Sequence, residues 1–283
     1  MTGSSTVRTV GDDRVTAYTW WLSLVIVPFL VAAVFLLYVL PTRTDDLFAW
    51  TIAPTLTAMF LGSAYAGGIW FFVRVLRDRL WHRVAHGFPA VVVFATLMGV
   101  ATFLHWDRFH FGHISFVTWV VLYVTTPFAV AAVLVMARHK DPRTAEARDF
   151  VIPLAPRVVI AVIGIIAMVC GVVLFVVPGI AVDVWAWPLT PLTARVVGAI
   201  LTLPGMVNVW LLTDARWSAF RSIFQAQIVS LVFIAGALLI ARGDLDWTRP
   251  AAGGFVVGIL VSLLAFVGFY VYCESRLGSP APR

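Results

Sequence analysis

The sequence predicts an all-α integral membrane protein. Its eight transmembrane helices are set out as two tandem four-helix repeats, a 4+4 arrangement related by a parallel pseudo-twofold axis along the membrane normal. Three observations predict this. The chain is 61% hydrophobic and only 12% charged, with a mean hydropathy of +0.96, a balance foreign to soluble domains. Eight apolar runs approach or exceed the roughly 20 residues needed to cross about 30 Å of hydrocarbon. Finally, Asp46-Leu47-Phe48-Ala49-Trp50, followed by Pro54 and Leu56-Thr57-Ala58, returns as Asp183-Val184-Trp185-Ala186-Trp187, followed by Pro191 and Leu192-Thr193-Ala194. A fixed offset held along a chain marks a repeated unit.

Residues 1–17 are a polar arm, expected to be mobile, that holds Arg8 and Arg14. The first apolar run, 18–40, exceeds the roughly 7–15 residues of a signal-peptide core and ends in Tyr38-Val39-Leu40-Pro41, so it is expected to remain as a span. The second run, 49–73, starts at the repeated motif and contains Gly62-Ser63-Ala64-Tyr65-Ala66-Gly67-Gly68. Runs three and four, 85–104 and 114–137, enclose a histidine-rich loop. The linker 138–156 is polar around His139-Lys140-Asp141-Pro142-Arg143. The second repeat, 157–273, carries the runs 157–177, 193–213, 218–241 and 251–273, with 274–283 as a tail. Val158 to Val177 is unbroken apolar sequence, which excludes the alternation of a barrel strand. The repeat register continues through Gly62/Gly198, Asp78/Asp214 and Trp81/Trp217. Beyond these, Trp106/Arg108/Gly112 align with Trp247/Arg249/Gly253 at an offset of 141, which implies a short insertion.

Basic residues set the orientation. Fifteen Lys and Arg fall on the side of the arm, the linker and the tail, against five on the other side, so both termini are expected in the cytoplasm. The isoelectric point near 9.9 is then a consequence of this bias, and nucleic acid is not an expected partner. Nineteen of the twenty basic residues are arginine. That usage suits a GC-rich genome and points to a bacterial inner membrane. Cys170 and Cys273 are not placed for an external disulfide or a metal cluster.

No Asp, Glu, Lys or Arg falls at mid-depth in any span. Intramembrane charges mark proton relays and ion pathways, so their absence argues for a neutral or lipid-like ligand, or none. Interruptions at matching positions of two repeats point to a binding site. Here Gly68 falls opposite Pro204, and the candidate ligand residues are Ser63, Tyr65, Gly67, Gly68, Thr202, Pro204, Gly205 and Asn208. Close helix packing through small residues accounts for the same glycines. Asp46, Trp50, Arg108, Asp183, Trp187 and Arg249 form a candidate outer rim. Asp46 with Arg108, and Asp183 with Arg249, read as loop-to-loop ion pairs worth about 0–1 kcal/mol if exposed. His105, His110 and His113 are a candidate zinc or copper set, since neutral imidazole suits both metals. Their spacing matches no strong motif, and solvated loop histidines are the plainer reading.

There is no G-x-S-x-G, H-E-x-x-H, C-x-x-C or P-loop. The leading expectation is a carrier or binding protein for a small neutral or lipophilic compound, with membrane lipids around it and no cofactor. A non-catalytic partner subunit of a cell-envelope membrane complex comes second. A metal or redox enzyme on the external histidine loop comes third.

Overall fold

The computed structural model describes residues 12–277. Most of the polar arm, with Arg8, and the end of the tail lie outside them. Eight helices are long and apolar enough to cross a membrane. They are α1 (Ala17–Val34), α2 (Thr55–Asp78), α3 (Gly87–Leu104), α4 (Ile114–Ala137), α5 (Leu154–Val176), α6 (Pro191–Asn208), α7 (Trp217–Ile240) and α8 (Pro250–Ser275). A π-turn, Phe35–Val39, extends α1, and a 3-10 turn, Val209–Leu212, extends α6.

Neighbours in sequence pair as α1–α2, α3–α4, α5–α6 and α7–α8, and across the halves α2 also packs on α7 and α6 on α3. The two halves of the chain are therefore interlocked. Following these contacts gives a ring in the order α1, α2, α7, α8, α5, α6, α3, α4. The ring has two thin seams, between α4 and α1 and between α8 and α5. Helices α2 and α6 also touch across its middle. The tightest pair is α5–α6. A Cβ added to Gly171 would come within 2.5 Å of the Gly198 carbonyl oxygen, and one on Gly205 within 2.7 Å of the Gly164 carbonyl oxygen. Only glycine permits that approach, the means by which membrane helices maximise packing.

Both ends are closed by recurring devices. At the end away from the described termini, termed outer here, the short helices Thr44–Leu47 and Pro178–Val184 lead into segments that fold inward. There the His110 N–H donates to the Ala49 carbonyl, and the Asp246 N–H to that of Ala186, each at 2.9 Å. At the end that carries the described termini, termed inner here, single β-bridges join Arg14 to Leu80 and Val151 to Arg216. Residues 12–16 are thus held against the turn after α2, an ordered strap where the sequence suggests a mobile arm. The inner end of the linker is the matching strap after α6.

The bridges and the two carbonyl contacts keep a spacing of 136–137 residues. The 3-10 turns Trp106–Arg108 and Arg242–Asp244 keep it as well, and so do the starts of α4 and α8. The helices leave no room for the insertion inferred from Trp106/Arg108/Gly112 and Trp247/Arg249/Gly253. Tryptophan and arginine recur at membrane interfaces for general reasons, so a three-residue coincidence there is weak evidence of register.

Candidate functional site: an apolar cavity inside the helix ring

The ring encloses a cavity of about 1040 Å³ lined by residues from all eight long helices. It runs from Gly87 and Phe72 towards the inner face to Phe48, Ile114 and Trp185 at the outer face. No charged side chain lines it. Phe29 on α1, Ile114 on α4, Ile166 on α5 and Val261 on α8 line the cavity and are also exposed. All four lie on helices that flank the two thin seams, so the cavity opens sideways, on the apolar flank of the ring, where helix contact is weakest.

Four of the eight candidate ligand residues line this space: Tyr65, Gly67, Gly68 and Pro204. The other four do not. Ser63 and Thr202 are buried and turn their hydroxyls onto the carbonyls of Met59 and Ala199, each at 2.7 Å. Gly205 is taken up by α5, facing Met168 and Gly164. Asn208 exchanges two amide hydrogen bonds with Gln227, at 3.2 and 3.1 Å. Nor is the backbone broken here. Helix α2 runs through Gly62–Gly68 without interruption, and α6 continues past Pro204 to Asn208. Glycine in a packed apolar helix is a contact residue before it is a breaker.

The polar side chains inside include Thr118, Gln227, Ser230 and Ser262 and a pair of phenols. Tyr65 and Tyr123 bring their hydroxyl oxygens to 2.5 Å. Phe48, Phe94 and Trp119 line the wall near the phenols, and α8 contributes Ala251, Gly254 and Gly258 together with Phe255 and Phe266. Trp185 stands at the outer end, edge-on to Phe255 at 5.4 Å between ring centres. Tyr123 and Trp119 escape notice in the sequence because neither belongs to a repeated motif. An aromatic three or four residues from another on an apolar helix is the one signal they offer.

The expected outer rim is built differently. Trp50 and Trp187 are 2% and 0% exposed, so they are packing residues beneath the surface. The Trp187 indole N–H donates to the Thr57 hydroxyl at 2.8 Å, whereas the buried indole nitrogen of Trp50 has no partner among the described residues. The proposed long-range ion pairs do not form. Asp46 binds Arg43 at 3.0 Å and Arg108 binds Asp107 at 3.2 Å. Arg249 binds Asp246 at 2.9 Å and donates to the carbonyls of Val182 and Trp185. Asp183 has no ion pair among the described residues. A partner within one turn needs no loop closure, and Arg249 also satisfies carbonyls left open at the end of the short outer helix.

The three loop histidines go separate ways. His105 Nε2 accepts from the Arg195 guanidinium at 2.7 Å. Arginine can only donate, so the His105 proton sits on Nδ1. Burial, and then the Arg195 charge, lower its pKa from 6.5. His110 bridges the Thr51 hydroxyl and the Phe48 carbonyl, both at 3.1 Å. Only His110 and His113 lie near each other, with ring centres 5.3 Å apart. Among the described residues no group of three His, Cys, Asp or Glu side chains is arranged to hold a metal ion.

At the inner face a charged network forms from residues remote in sequence. Arg216, 8% exposed, is clamped by Asp214 at 2.6 Å and Asp141 at 2.7 Å, and His86 joins Asp214 at 3.0 Å. A second group links Asp13, His82, Glu146 and Arg83. Burial alone would raise the Asp214 pKa, but the bonds from His86 and Arg216 outweigh it and hold that carboxyl well below the usual range. Asp141 is lowered in the same way, as its bonds from Arg216 and the Arg143 N–H exceed its burial cost. This network ties the strap and the linker to the turns between helices, and it lies apart from the cavity.

Comparison with protein-family models, curated proteins and solved structures finds no match.

Proposed function

We propose that this chain is a carrier or binding protein for a small neutral or lipophilic compound, held inside the helix ring and exchanged sideways with the bilayer. The observation that carries this reading is the charge-free cavity of about 1040 Å³. It stands at the upper end of the roughly 300–1,000 Å³ typical of small-molecule pockets. A buried charge without a partner is prohibitively costly, so such walls favour a neutral guest. The exposed lining residues on the helices beside the two seams supply an entrance that avoids water. In the same reading the ring is a duplicated four-helix unit with both termini in the cytoplasm of a bacterial cell. The reciprocal α2–α7 and α6–α3 packing and the constant 136–137 spacing support the duplication, and the fifteen-to-five split of basic residues supports the orientation.

The test is native mass spectrometry of protein released from mild detergent. A retained organic mass is expected. It should be lost in Gly258→Trp, since that glycine lines the cavity and a Cβ there meets no atom within 4 Å. Wild-type protein that is always bare, or a mass indifferent to the substitution, would overturn the reading.

A further inference from the structure

We infer that the cavity recognises an acceptor oxygen on its ligand, a carbonyl, ester or ether, through a hydrogen bond donated by the Tyr65–Tyr123 pair. This rests on the binding function proposed above and narrows its ligand class. Two phenols carry two hydroxyl hydrogens, and the bond between them uses one. The O–H of whichever phenol accepts is left over. Neither hydroxyl has another hydrogen-bond partner among the described residues. Both rings line the cavity, and Tyr65 is only 5% exposed. They sit near the middle of α2 and α4, far from either water-facing end. A donor left unpaired in apolar surroundings is unfavourable, and a ligand oxygen relieves it.

The spare hydrogen is a donor. A hydrocarbon would leave it unpaired, and a carboxylate would bring in a charge that no lining residue balances. At the positions 136 residues on from the two tyrosines, the cavity wall has Leu201 and Ile259. The phenol anchor therefore exists on one side only and gives the ligand a single orientation. The acceptor oxygen can belong to a bilayer lipid's acyl ester or to a free lipophile.

The test uses the full chain in detergent micelles doped at equal mole fraction with methyl stearate, with nonadecane, or with a distearoyl phosphatidylethanolamine, and counts adducts by native mass spectrometry. Wild-type protein should take up methyl stearate roughly 5- to 100-fold more readily than nonadecane. The double variant Tyr65→Phe/Tyr123→Phe should reduce that preference to within about twofold with nonadecane uptake unchanged. Each single variant keeps one phenol donor and should keep most of the preference. A tyrosine-dependent phospholipid adduct supports the inference with a bilayer lipid as source, and a tyrosine-dependent ester adduct alone supports it with a free lipophile. A wild-type preference near unity overturns it and needs no variant to be read. A preference that survives in the double variant also overturns it while leaving the cavity reading intact. If wild-type protein takes up no probe at all, the cavity reading itself fails.

Discussion

Helix pairs α1–α2 and α5–α6 occupy corresponding places in the two halves of the chain, yet they pack by different means. In α5–α6 the contact is backbone on backbone, and a Cβ on Gly198 would lie 2.5 Å from the Gly171 carbonyl oxygen and 2.9 Å from the Phe175 nitrogen. In α1–α2 a Cβ added to Gly62 would lie 3.3 Å from the Cβ atoms of Leu37 and Tyr38 and 3.4 Å from the Tyr38 nitrogen. The first contact is closer than any Cβ tolerates. The second needs only a small shift. One pair meets backbone to backbone, and the other leaves more space between its helices beside the cavity that Leu30 and Gly68 line. Matching positions in the sequence thus do not fix how closely the helices approach.

The sharpest way to break this comparison is one substitution made at both places. Gly198→Ala should destabilise the protein by about 2–3 kcal/mol through overpacking, and Gly62→Ala by less than about 1 kcal/mol. Reversible unfolding in detergent measures both, and equal losses would mean the two seams are alike. Next in size is the charged clamp at the inner face. Asp214→Asn leaves Arg216 with Asp141 as its one carboxylate and should cost about 1–3 kcal/mol near pH 7. The same group fixes a pH dependence. Its folded pKa lies below the ordinary 3.8, so on acidification the unfolded chain binds the proton first. The stabilisation is complete above that value and is lost as pH falls from about 4 towards the lower folded pKa. The Asn variant should show a shallower acid limb in the same unfolding measurement.

The smallest contrast concerns the paired tryptophans. Both Trp50→Phe and Trp187→Phe leave a void in the packing, and Trp187→Phe also removes the donor to Thr57, so it should cost about 1 kcal/mol more than Trp50→Phe. If Trp50→Phe proves as costly, its nitrogen has a partner, such as an ordered water, and the outer ends of the two halves are more alike than their hydrogen bonds suggest.

Much of the architecture was legible in the chain. Helix number and approximate span ends follow from hydrophobic length, and Asp46–Trp50 with Asp183–Trp187 marks the paired outer segments. The site was only half legible. Tyr65, Gly67, Gly68 and Pro204 line the cavity, but their polar neighbours Ser63, Thr202 and Asn208 spend their hydrogen bonds within or between helices. A sequence does not reveal whether a small residue on an apolar helix faces a neighbour or a void, because both choices use the same composition. The inner network could not be read either, since His86, Asp141, Asp214 and Arg216 are joined only by folding.

By itself the sequence determined how many segments are long and apolar enough to cross a bilayer, and where the charges lie between them, because the cost of placing polar groups in hydrocarbon acts on each segment separately. Only the tertiary structure decided that α2 packs on α7 and α6 on α3, that Tyr65 meets Tyr123, and that a cavity remains between them. Those outcomes depend on which surfaces fit at close range, a property of pairs of helices that no single helix carries.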